Sequence, residues 1–114
     1  MKARLQQRLP EFGRVAGVQA CGLLFPDQTH FSLGFEPSFT PEALQNACGG
    51  IAETIRHLGQ QGVPPSRMQW VYEHFLLHCA QRPDGICLVV FCTRKPKQLD
   101  AAALEKQMTE FRTA

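Results

Sequence analysis

Between Gly85 and Thr93 the chain reads Ile86-Cys87-Leu88-Val89-Val90-Phe91-Cys92, without one polar side chain. Just before it stands Arg82-Pro83-Asp84-Gly85, a strong hairpin turn, so the run is read as an extended strand over about residues 86–93. A strand with no polar face must be covered on both sides. The chain therefore has to place this strand centrally in a sheet and supply a layer above and below it. With 114 residues, 44% of them hydrophobic, there is material for one such core, and a single domain over residues 1–114 is expected.

The remaining elements follow from spacing. Leu5, Leu9 and Phe12 mark one apolar stripe on a helix over about residues 2–12, which Pro10 must either end near Arg8 or kink. Val18 to Phe25 and His30 to Phe35 form two strands about Pro26-Asp27-Gln28-Thr29, with Phe31, Leu33 and Phe35 alternating toward the inside. A middle helix starts at Thr40-Pro41-Glu42, where a capping hydroxyl, a first-turn proline and an acid at the positive end of the helix dipole coincide. It runs to about Gly59 or Gly62, and Leu44, Cys48, Ile51, Ile55 and Leu58 make its core stripe. Beyond a rigid Gly62-Val63-Pro64-Pro65 linker come strands at about 68–73 and 75–81. After the apolar strand and a basic loop at Arg94-Lys95-Pro96-Lys97, Asp100 caps a last helix carrying Leu104, Met108 and Phe111. The order is α-β-β-α-β-β-β-α, an α+β chain.

Charge and cysteine content narrow the function classes. Twelve Lys and Arg against ten Asp and Glu leave a net charge of +2, too small to be a footprint for nucleic acid or an anionic membrane. No segment approaches the roughly 20 apolar residues of a membrane span, and the N-terminus lacks a secretory apolar core, so a cytoplasmic protein without membrane insertion is expected. Cys21, Cys48, Cys79, Cys87 and Cys92 form no Cys-x-x-Cys pair and are read as reduced thiols among apolar neighbours.

The element order, with the opening Val15-Ala16-Gly17-Val18-Gln19-Ala20-Cys21-Gly22-Leu23-Leu24 and the closing Gly85-Ile86-Cys87-Leu88-Val89-Val90-Phe91, resembles the roadblock (dynein light chain roadblock) family, in its bacterial form, over nearly the whole chain. The resemblance implies a profilin-like, five-stranded antiparallel sheet with the middle helix on one face and the terminal helices on the other. It also implies a non-enzymatic interaction module that forms homodimers, or pairs with a paralogous chain, through the middle helix and third strand. Such pairs bind and regulate or localise small Ras-like GTPases, or serve as adaptor subunits. The turn Pro26-Asp27-Gln28-Thr29 departs from the Asp-Gly usual in the family, and Pro10 falls late in the first helix.

Two groups of residues are candidates for such an interface. Beside its core stripe the middle helix carries Ala43, Ala47, Gly50, Thr54 and His57, mostly small residues that permit close helix approach. Each glycine of Gly49-Gly50 costs about 1 kcal/mol against alanine, which tight packing offsets. The alternative is that Gly49-Gly50 accommodates the sheet beneath or lets the helix bend. Along the third strand Met68, Trp70 and Tyr72 alternate with polar or smaller residues and present an interface-like face. The alternative is packing on a terminal helix of the same chain.

No catalytic, cofactor-binding or metal site is expected. His74, His78, Cys79, Cys87 and Cys92 are the nearest approach to a metal cluster, but strand alternation turns His78 and Cys79 to opposite faces. None of the cysteines is positioned as a nucleophile by His30, His57, His74 or His78. The chain has no P-loop, while Arg67, Arg82 and Arg94 are candidates to approach a partner's nucleotide. The competing function is a small ligand-binding sensor, with a pocket between sheet and helix lined by Phe31, Phe35, Leu77 and Phe91.

Overall fold

The computed structural model describes residues 2–62 and 67–113. The apolar run is β5 (Cys87–Cys92), and all six of its residues are buried. It sits at the middle of a five-stranded antiparallel sheet that also contains β1 (Val18–Leu24), β2 (His30–Gly34), β3 (Arg67–Val71) and β4 (Leu76–Gln81), in the order β2-β1-β5-β4-β3. Both edges of this sheet are therefore the strands with polar alternation, β2 and β3, neither of which contains a fully buried residue.

Pleating divides β5 between two cores. Cys87, Val89 and Phe91 join Ala20, Leu24, Leu77 and Cys79 beneath α3 (Pro41–Gln60), which contributes Leu44, Cys48, Ile51 and Ile55. Leu88, Val90 and Cys92 face the other way, against Leu5 of α1 (Lys2–Gln6), Leu9 and Phe12 of α2 (Leu9–Phe12), and Leu104, Met108 and Phe111 of α4 (Ala101–Thr113). The middle helix thus covers one face and the terminal helices the other. Each fully buried Leu, Val or Phe contributes about 1.5–3 kcal/mol, and burial on both faces concentrates that contribution along β5.

Local signals account for the boundaries. Thr40 caps α3, its hydroxyl accepting the Ala43 N–H at 3.2 Å, with proline in the first turn. Asp100 likewise accepts the Ala103 N–H at 3.1 Å. The expected 2–12 helix is broken in two: Arg8 N–H turns back to the Leu5 carbonyl at 3.1 Å and Pro10 occupies the first turn of α2, where its missing N–H costs nothing. β3 stops short of Glu73 because the Tyr72 N–H bonds the Phe75 carbonyl at 2.9 Å, which closes a tight turn at Glu73-His74. Of the expected linker, Val63, Pro64 and Pro65 lie outside the described residues.

In the β4–β5 turn Gly85 adopts φ +89° and the Arg82 N–H reaches the Ile86 carbonyl at 2.8 Å. In the β1–β2 turn the left-handed position is held by Gln28, φ +72°. That geometry costs an L-residue roughly 1–2 kcal/mol. Asp27 braces it by accepting the Thr29 N–H at 3.0 Å.

Candidate interaction site

α3 turns Leu44, Cys48, Ile51 and Ile55 down onto the sheet, which leaves the adjacent stripe on its flank. Ala47 in this stripe is half-buried, while Ala43, Gly50, Thr54 and His57 are exposed. A Cβ built on either Gly49 or Gly50 would meet nothing within 4 Å. The sheet therefore does not require these glycines, and the reading that they accommodate it is overturned. Gly22 shows what such a requirement looks like: on β1 under α3, its Cβ would lie 3.2 Å from both Cys48 Sγ and Val89 Cγ2.

Between this flank and the β3 side of the sheet runs a groove of about 340 Å³. One wall is Asn46, Ala47, Gly50, Ile51 and Thr54, and the other is Trp70, Tyr72, Phe75 and Phe91. The stripe and the strand, separate in the sequence, thus form two sides of one depression. Met68 and Trp70 are half-buried on the α3 face, so the alternative that they pack on a terminal helix does not hold: register turns them the other way. Tyr72 stacks on Phe75, centroids 4.8 Å apart, and Phe75 continues to Phe91 at 5.3 Å and Phe39 at 5.9 Å. Tyr72 remains 43% exposed and Val71 66%, beside the open edge of β3. Ala43 and His57 flank the groove at either end of the stripe without lining it.

Sequence reasoning missed Asn46, Phe75 and Val71. Phase was the available signal for Asn46, which precedes Ala47 and lies one turn before Gly50. Phe75 was hidden because the turn returning it beside Tyr72 carries neither glycine nor proline.

No family model matches this sequence. No curated protein matches it either. Solved structures do resemble the chain. A Roadblock/LC7 domain from Streptomyces avermitilis superposes with a TM-score of 0.71 at 19% identity, over 94% of this chain and 90% of that one. The gliding protein MglB from Thermus thermophilus gives 0.69 at 14% identity, over 97% and 87%. MglC from Myxococcus xanthus gives 0.59 at 13% identity, over 96% and 97%. The chain has the roadblock fold.

On this roadblock fold the other candidate sites come apart. Phe31 and Phe35 pack against the core under the terminal helices, whereas Leu77 and Phe91 belong to the core under α3. The four do not share a pocket, so the sensor reading loses the site proposed for it. A depression of about 460 Å³ does lie under the other flank of α3, but Leu24, Phe25, Ile55 and Cys87 form its apolar part and none of the four sensor residues lines it.

The cysteines are all buried and unpaired. Burial pushes the Cys21 thiol up to about 12, with Cys48 adding to it, and raises Cys48 to about 11 and Cys92 to about 12. Cys79 is also raised, first by its hydrogen bond with Cys87 and then by burial. These thiols stay protonated near neutral pH, and a protonated buried thiol is a poor nucleophile. Cys79 and Cys87 face α3 while Cys92 faces the terminal helices, and His74 is exposed in the β3–β4 turn. Among the described residues no three His, Cys, Asp or Glu side chains are placed to hold a metal ion.

The three arginines considered for a partner's nucleotide are engaged within the chain. Arg67 bonds Glu105 at 3.1 and 2.8 Å, and Arg94 donates to the Glu73 carbonyl at 2.8 Å. Arg82 is 8% exposed, donates to the Phe111 carbonyl at 2.6 Å, and lies over the Phe111 ring. Among the described residues no helix is long and apolar enough to cross a membrane.

Proposed function

We propose that this chain is a non-enzymatic, cytoplasmic interaction module that pairs through α3 and β3 with a second copy of itself or with a paralogous roadblock-type chain. The pair binds and regulates or positions a small Ras-like GTPase. The observation that carries the pairing is contiguity: a helix flank of small residues, an aromatic groove beside it and an open strand edge form one surface. Glycine at position 50 lowers helix stability by about 1 kcal/mol with no offsetting contact within 4 Å of its missing Cβ. Close approach of a partner helix supplies that contact, because small residues let axes come within about 8 Å. Trp70 and Tyr72 are the residue types that dominate interface energetics. The GTPase assignment rests on the roadblock resemblance, and similarity to MglB structures, one of them in a tetrameric arrangement, is consistent with association.

Light scattering at micromolar concentration on the native chain and on Gly50→Leu tests the pairing. The expected result is a native dimer that the leucine converts to a folded monomer. A native monomer refutes self-pairing, and a Gly50→Leu dimer of unchanged affinity refutes the seam. Titrating the native pair into a nucleotide-loaded Ras-like GTPase from the same genome tests the second part, with saturable binding expected.

A further inference from the structure

On the face away from α3, the edge strand is fastened by an ionic clamp. Arg67, at the start of β3, donates both terminal guanidinium nitrogens to the Glu105 carboxylate on α4. His78 lies beneath this clamp. On β4 it stands opposite Gln69, with Arg67 two residues along the same face of β3, and opposite Val90 on its other side. Its Nε2 is buried without a hydrogen-bond partner among the described residues.

The charged and titratable groups around the ring are few. β3 contributes Arg67 and α4 contributes Glu105. On β5 the diagonal neighbour is Cys92, a neutral thiol held up at about 12, and on β4 itself the flanking same-face residues are Leu76 and Ala80. A proton on His78 would thus set a second cation beside Arg67 with the Glu105 carboxylate to share. Burial first, and Arg67 second, press the imidazole below its ordinary value, against the opposing pull of Glu105.

We propose that His78 is an acid-sensitive latch beneath the Arg67–Glu105 clamp. Neutral, it leaves the clamp intact and β3 held to α4; protonated, it competes with Arg67 for Glu105 and loosens the edge strand. The sign follows from the direction of the shift. Above about pH 6.5, the ordinary histidine value, neither folded nor unfolded chain holds the proton, and stability is complete. As pH falls below that, the unfolded chain takes up the proton before the folded one does, so stability is lost down to the lowered folded value. The opposite face of β3 carries Met68 and Trp70, so the latch also governs one wall of the α3 groove, although the inference does not depend on pairing.

The test is a histidine-ring NMR titration of the full chain, with amide exchange protection of β3, β4 and β5 measured from pH 7.5 to 5. It compares the native protein with His78→Gln and Glu105→Gln. Expected in the native chain are titration of His78 below pH 6.5 and a fall in β3 and β4 protection. That fall should be about ten-fold per pH unit of displacement, and it should disappear in His78→Gln. In Glu105→Gln the His78 titration should move lower still, a readout that holds even if His78→Gln fails to fold. An ordinary His78 titration, an unchanged one in Glu105→Gln, or β3 and β4 protection that stays constant while His78 titrates would each overturn the latch. The His78 titration and its shift in Glu105→Gln do not depend on pairing, so the two proposals fail separately.

Discussion

Replacing Gly49 and Gly50 with alanine, singly and together, reports on the argument for the α3 flank. Both lie inside a helix that runs from Pro41 to Gln60, and a Cβ on either meets no atom within 4 Å. The folded monomer therefore gains the full difference in helix propensity, about 0.8–1 kcal/mol per site. The two Cβ atoms point about 100° apart round the helix, so the gains should add, giving about 2 kcal/mol for the double variant. For a chain of this size each kcal/mol is worth roughly 3–6 °C in Tm. Urea denaturation at two protein concentrations a hundred-fold apart separates this gain from any effect on association. At the lower concentration both single variants should be more stable than the native chain. At the higher concentration Gly50→Ala should gain less than Gly49→Ala, because only Gly50 lies in the small-residue stripe. If either alanine destabilises the dilute protein, its glycine has a role within the fold and the offset argument fails. Gly22→Ala is the contrasting control: with contacts at 3.2 Å to Cys48 and Val89, it should be less stable than native at both concentrations.

Two further outcomes follow from buried side chains. Arg82→Met removes the charged hydrogen bond to the Phe111 carbonyl and the cation over its ring, and should lower the urea-derived stability by about 2–3 kcal/mol; a loss under about 0.5 kcal/mol, the scale of an ordinary surface substitution, would mean that this buried guanidinium does not fasten α4. The raised thiols should be silent to a colorimetric disulfide reagent at pH 8 in the native protein, with all five reacting in denaturant; fast labelling of any one would contradict its burial.

Legibility varied with the range of the physics. β5 was readable because an all-apolar run has one stable environment, and α3 because Thr40, Pro41 and Glu42 act on amides within the same turn. The turn at Gly85 was readable for the same local reason. The first helix was half-legible: Pro10 announced a break, but its place depended on which turn the proline would begin. The pocket residues show the limit. Phe31 alternates with polar or small residues and Phe91 sits in an all-apolar run, yet nothing near either in sequence says which face of the sheet it joins.

By itself the sequence determined the element types, their order, the central position of β5 and the small-residue character of one α3 flank, all properties of a period or a cap a few residues long. Tertiary structure decided that β3 lies at the edge and that Trp70 and Tyr72 face α3 across a groove from Gly50. It also decided that His78 lies under the clamp between β3 and α4. Those placements depend on strand order and register, where a shift of one residue would exchange the faces of a whole strand, and they arise only when segments distant in the chain pair.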